Sequence, residues 1–327
     1  MPPLSQLRSF CCALGLTLWV TALAGCTSGS GTPSSPGNNP TPKPFYVGNS
    51  NGNSVTSYTA GATGNVAPSA TINGAATNFL TPTGVAVNNG LLYVANSDGN
   101  RIVVLAAGAN GNATPVATYI GASTGLNRPY GVAVQAGFIY VANSAGNSIT
   151  VYPTGFTGSV NAAPSATISG ANTGLSGPVG VALDAIGNIY VANAPSNIKI
   201  FAPAASGNVF PTATIGGGNT GLSSPVAVAV QAGFIYVANS GNDSITVYPT
   251  GFSGTTNVFP SFTISGANTG LHGPQGVALD AAGKIYVANP GNNSVTVYAA
   301  GASGNATPIA TISGANTGLS FPVGVAF

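Results

Sequence analysis

The pair Tyr-Val recurs six times in this chain, at Tyr46, Tyr93, Tyr140, Tyr190, Tyr236 and Tyr286, with spacings of 47, 47, 50, 46 and 50 residues. A period of this length points to a solenoid or a propeller, because one such unit cannot bury its own apolar face and must stack on its neighbours. Each unit holds four short β-rich runs, here lettered a to d. Around the third Tyr they are Gly131–Val134 (GVAV), Phe138–Ala142 (FIYVA), Ser148–Tyr152 (SITVY) and Ser165–Ile168 (SATI), separated by turn signals such as QAG and NSAGN. The inner runs are apolar at consecutive positions, as a sheet covered on both faces requires. No 3.6-residue period occurs after residue 45, so this part of the chain is expected to be almost entirely β.

The run count fixes the architecture. The repeats open at run b (Phe45–Val47) and end on run a (Val323–Phe327), with six of each run and no remainder. The expected fold is therefore an all-β, six-bladed β-propeller of four-stranded blades. Its closing blade joins the C-terminal strand a to the N-terminal strands b, c and d, which leaves no free sheet edge. The segment Gln135–Ser144 recurs unchanged at Gln231–Ser240, a sign of recent internal duplication.

Charge narrows the function. The 327 residues include six Lys+Arg, four acidic residues, all Asp, and one His. Six scattered cations cannot supply the dense basic surface that phosphate contacts need, so nucleic acid is excluded as a partner. The high apolar fraction, 44%, argues against disorder despite 47 Gly and 24 Pro.

Residues 1–25 read as an address. Arg8 precedes an apolar run from about Phe10 to Ala24, too short for an ordinary transmembrane helix. It ends in Leu23-Ala24-Gly25-Cys26, which resembles the lipobox of bacterial lipoprotein signal peptides. The resemblance implies cleavage before Cys26, acylation of that residue, and an extracytoplasmic protein anchored by lipid to the cell envelope. Thr27 rather than Asp follows the Cys, which in Gram-negative lipoproteins favours the outer membrane. All three cysteines (Cys11, Cys12, Cys26) lie in this region, leaving none in the repeats for a disulfide or a metal. Residues 26–44 are the acyl-bearing Cys and a flexible Gly/Ser/Pro linker; the propeller takes 45–327.

The motifs YVANSxxNSITVY, ATISGANTGL and PxGVAL resemble the NHL and YVTN families of β-propeller repeats, over about residues 45–327. The resemblance implies the fold and leaves activity open, because such repeats serve enzymes and inert scaffolds alike. Two enzyme types resemble this fold. Gluconolactonase-type lactonases hold an axial divalent metal with Glu, Asn and Asp, but this chain has no Glu. Streptogramin lyase uses a His with an acidic, Mg-binding surround on seven blades, which His272 alone cannot reproduce. No catalytic residue, metal site or cofactor is expected.

The Asn closing each run b (Asn49, Asn96, Asn143, Asn193, Asn239, Asn289) forms a six-fold series. It admits an axial ring of amides for a polymer or ion, or six Asx-type turns onto the following b–c loop; the expectation adopted is the turn. Asp184 and Asp280 fall in a–b turns, and Asp98 and Asp243 in b–c turns at the opposite end of the blade. All four are expected to be turn residues. What breaks the repeat lies in the d–a loops, near the mouth of the axial channel. One reads Asn127-Arg128-Pro129-Tyr130 and another His272-Gly273-Pro274-Gln275. They sit on the second and fifth blades, diametrically opposed. Arg128, Tyr130, His272 and Gln275 are thus the candidate binding residues, in loops outside the packed strands. The expected role is a non-catalytic, monomeric scaffold that binds an envelope protein or a polysaccharide, its Asn- and Ser-rich surface supplying hydrogen bonds. A lactonase or lyase with a non-standard site is the alternative.

Overall fold

The computed structural model describes residues 43–327; the expected signal peptide, Cys26 and most of the linker lie outside the described residues. The described chain forms six β-sheets, each with four antiparallel strands in a, b, c, d order, two of them carrying a fifth strand. In the second blade, counted by strand a, these are Pro129–Gln135, Phe138–Asn143, Ser148–Pro153 and Ala166–Ile168. The sixth sheet unites Pro322–Ala326 with Phe45–Asn49, Ser54–Tyr58 and Ala70–Ile72, with Val47 opposite Val325. The only regular helices among the described residues are single 3-10 turns.

The apolar runs of strands b and c are buried because each blade is sandwiched between two others. The buried side chains divide into six clusters, one for each blade interface. Between the first and second blades, for example, Tyr93, Ile102, Val104 and Tyr119 pack on Val132, Ile139, Val141 and Tyr152. Fully burying one such side chain is worth about 1.5–3 kcal/mol. Where neighbouring inner strands come closest, at Gly84, Gly131, Gly180, Gly276 and Gly324, there is no room for a side chain. A Cβ on Gly276 would land on the Val323 carbonyl oxygen of the neighbouring strand a.

The outer edges are covered too. The c–d loop of each blade runs beside strand d of the preceding blade. In two blades it forms a parallel strand, Gly158–Val160 on Ala117–Tyr119 and Gly254–Thr256 on Ala213–Gly216. In the other four it makes a single parallel bridge through Gly64, Gly111, Gly207 or Gly304. No blade thus offers strand d bare to another chain.

Side-chain amides complete each junction. Asn65, Asn112, Asn161, Asn208, Asn257 and Asn305, all in c–d loops, each accept a backbone N–H at the 3-10 turn or bend after strand d of the preceding blade, at 2.7–3.0 Å. The Gly that opens each turn, such as Gly266 at φ 119°, leaves room for the amide: a Cβ there would collide with Asn305. A neutral amide suits this work, because a charge held between blades would lose its hydration.

Candidate functional site

One end of the ring, here called upper, carries the b–c turns and d–a loops; strand a enters the axial channel from it. Five blades place the second residue of strand a at the upper mouth, Thr83, Tyr130, Val179, Val226 and Val323, and the fifth blade places Gln275 there, just ahead of its strand Gly276–Leu279. The expectation that none of the candidate residues belongs to a packed strand is corrected for Tyr130, which lies within strand Pro129–Gln135. Its phenol reaches across the axis and donates a hydrogen bond to Gln275 Oε1 at 2.7 Å. Residues from opposite blades therefore meet in the channel instead of facing a ligand separately. Burial pushes the Tyr130 phenol up to about 12, with the nearby Arg128 charge acting in the opposite sense. The bond is therefore intact across the physiological range.

Around this bar the channel holds a small cavity of about 80 Å³, lined by Tyr130 and Gln275 themselves and by Val132, Val181, Val228, Val277 and Val325. Ligand pockets are usually about 300 Å³ or more. The lower channel widens to about 320 Å³ between Val87, Val134, Leu183, Val230, Leu279 and Phe327. Two side-chain amides border it, and both are engaged: Gln135 Nε2 donates to the Asp184 carbonyl at 2.9 Å and Gln231 Nε2 to the Asp280 carbonyl at 3.0 Å.

Arg128 and His272 remain at the surface, exposed on the upper face. Their backbones are pinned. The Arg128 N–H donates to Asn100 Oδ1 of the first blade at 2.6 Å, and its carbonyl accepts from the Ser144 N–H and hydroxyl. The His272 N–H donates to Asn289 Oδ1 at 3.2 Å. Four of the mouth candidates thus split into two kinds: Tyr130 and Gln275 close the channel, while Arg128 and His272 present side chains to solvent.

The Asn series at the end of strand b is structural, but by a different bond from the expected Asx turn. Each of these amides is buried and accepts a backbone N–H from the d–a loop that enters its own blade: Ser320, Leu80, Asn127, Ser176, Ser223 and His272. In four blades Nδ2 also donates to a strand-c Thr, at 2.9–3.0 Å. Where Val103 or Lys199 replaces that Thr, the amide turns to the Asn78 or Gly174 carbonyl of the loop. The amides hold the mouth loops from below and are not available to a ligand.

The carboxylates behave as turn residues. Asp184 Oδ1 accepts the N–H groups of Ile186 and Asn188, and Asp280 Oδ1 those of Ala282 and Lys284. On the upper face Asp243 accepts the Gly273 N–H, and Asp98 the Thr81 hydroxyl. Among the described residues no three His, Cys, Asp or Glu side chains gather in a metal-binding group.

The NHL repeat model matches residues 79–105 and 271–298. Both matches begin in the d–a loop and run through strands a, b and c, in the first and fifth blades. No curated protein matches the sequence. Among solved structures, the chain is similar to one in the crystal structure of a nidogen/laminin complex, with 15% identity over 86% of this chain and 97% of that one, at a TM-score of 0.62. It is also similar to the WD40 β-propeller domain of Doa1, with 14% identity over 82% of this chain and 78% of that one, at 0.51. At such identities the likeness concerns the propeller fold alone.

Proposed function

We propose that this NHL-repeat propeller is a non-catalytic scaffold, anchored through an acylated Cys26 outside the cytoplasm, that binds an envelope protein or polysaccharide with its upper face. The observation that carries the reading is the Tyr130–Gln275 bond. It fills the axial mouth, where a propeller enzyme needs open, convergent polar groups. What the face still offers are the exposed Arg128 and His272 on loops held in place by buried amides. The anchor rests on Leu23–Cys26, and a tether of 18 residues (27–44) leaves the propeller free to meet a partner above the membrane.

Intact-mass analysis of protein taken from membranes tests the anchor: the expected N-terminus is Cys26 carrying acyl chains, and Cys26→Ser leaves an unprocessed precursor. An unmodified N-terminus elsewhere refutes it. Capture from envelope extract tests the face. Arg128→Ala/His272→Ala is expected to lose the partner held by the unaltered protein while its Tm stays unchanged, because both side chains are exposed. Turnover of a lactone or a glycosidic substrate by purified protein would replace the scaffold with an enzyme.

A further inference from the structure

The residue just before the proline that leads into strand a adopts the left-handed backbone conformation in all six blades: Thr81 (φ 58°), Arg128 (52°), Gly177 (54°), Ser224 (46°), Gly273 (58°) and Phe321 (53°). Glycine occupies this region without steric cost, whereas a side chain is strained there, and a β-branched or bulky one most of all. The chain uses glycine in the third and fifth blades, so the fold accepts it. In the sixth, first and second blades it keeps Phe, Thr and Arg instead. Residues held in sparsely populated conformations tend to be kept for what their side chains touch.

These three blades are consecutive around the ring. On them, Phe321, Leu80 and Arg128 are exposed. Leu80 is 47% exposed and Phe321 36%, and they are the only exposed large apolar side chains of the d–a loops among the described residues. The opposite side of the mouth has Ser176, Gly177, Ser223 and Ser224 at the matching positions. The third and fourth blades therefore carry only small side chains at these positions and the fifth carries His272 beside Gly273, whereas the sixth, first and second carry the two large apolar ones and Arg128.

The local polar groups show what this half-rim can recognise. The amides beside it are committed: Asn53 accepts the Thr81 N–H, Asn100 that of Arg128 and Asn293 that of Phe321, at 2.6–2.8 Å. The Asp98 carboxylate accepts the Thr81 hydroxyl at 2.6 Å. Few free acceptors and donors remain for the many hydroxyls of a sugar chain. Two exposed apolar side chains and the exposed Arg128 guanidinium do remain, with Arg101, whose Nε donates to the Gly99 carbonyl at 3.1 Å, at the end of the neighbouring b–c turn; a guanidinium grips a carboxylate with two parallel bonds.

From this we infer that the half-rim Phe321–Leu80–Arg128 is a docking site for a polypeptide segment that presents a carboxylate beside a large apolar side chain. The inference rests on the upper-face reading above and narrows its partner from envelope protein or polysaccharide to an acidic-apolar peptide.

The test uses two probes, acetyl-Leu-Asp-Leu-amide and its Asn counterpart, titrated into the full processed chain and followed by NMR. The Asp peptide is expected to bind at least ten-fold tighter, and Arg128→Gly to remove that preference. Phe321→Gly is expected to weaken both peptides several-fold. Neither glycine variant lowers Tm, because glycine relieves the backbone. Equal binding of the two peptides, binding of polygalacturonate in their place, or a fall of several degrees in Tm for either variant would overturn the proposal. Should Arg128→Gly still abolish capture from envelope extract while the peptides bind equally, the upper-face reading stands and the peptide class falls.

Discussion

Asn239 offers the sharpest perturbation of the device that shapes the upper face. It is fully buried; its Oδ1 accepts the Ser223 N–H at 3.2 Å, and its Nδ2 donates to Thr246 Oγ1 at 3.0 Å and to the Val237 carbonyl at 3.3 Å. Asn239→Ala deletes all three bonds without disturbing strand b. At about 1 kcal/mol net per bond, with a further penalty for the loop N–H that loses its acceptor, the cost is about 3–4 kcal/mol. For a folded unit of this size that corresponds to a fall in Tm of about 6 °C. The loss is local in origin, so amide exchange at Ser223 and its d–a loop should quicken before the strands open. Urea unfolding gives the magnitude and hydrogen exchange gives the place. A cost below about 1 kcal/mol, or faster exchange confined to the b–c turn at Ser240–Asp243, would mean that Asn239 is only a turn residue and that the clamp is wrong.

The tyrosines predict an alkaline limit. Tyr58, Tyr152, Tyr248 and Tyr298 are buried in strand c, each donating to a carbonyl of the d–a loop, and burial pushes each up to about 12, partly offset by a neighbouring Thr hydroxyl. A folded-state value above the unfolded value of about 10 means that the unfolded chain loses its proton first, so stability is full below pH 10 and falls from pH 10 towards 12, by up to about 3 kcal/mol per tyrosine. Denaturant titrations from pH 9 to 12 should show that decline, with phenolate absorbance rising together with unfolding; ionisation near pH 10 in a chain still folded would contradict it. Gly276→Ala should destabilise by at least about 1–3 kcal/mol, because the methyl group meets a backbone oxygen of the closing strand that cannot step aside; a neutral result in thermal melts would mean the inner strands are less tightly apposed.

The blades were legible in the sequence because Tyr-Val and its flanking apolar runs repeat with the period of the fold, and the position of the first run b and the last run a matches the sheet that Val47 and Val325 share. The amide clamps were harder to read. A terminal Asn in a strand suggests a local turn, whereas Asn143 bonds a loop 16 residues earlier that only the folded blade brings near. The c–d loop amides do carry a signal in the sequence. Asn65, Asn112, Asn161, Asn208, Asn257 and Asn305 are spaced by 47, 49, 47, 49 and 48 residues, and so are Gly74, Gly121, Gly170, Gly217, Gly266 and Gly314. Two series that share every irregularity of spacing belong to one junction. The Tyr130–Gln275 bond needed the width of the channel: sequence placed the two residues on opposite blades, but only the close approach of the inner strands lets a phenol span the axis. The cost of the rim was equally hidden, since the left-handed backbone at Thr81, Arg128 and Phe321 has no mark in composition.

If function resides in the d–a loops of the upper face, a hydrogen-exchange footprint of the processed chain with and without its captured partner will show it most directly. The account predicts slowed exchange at Leu80–Thr81, Asn127–Arg128 and Ser320–Phe321, with the a–b turns at Asp184–Asn188 and Asp280–Lys284 unchanged. Protection of those turns, with the upper loops left as they were, would place the working surface on the opposite end of the ring.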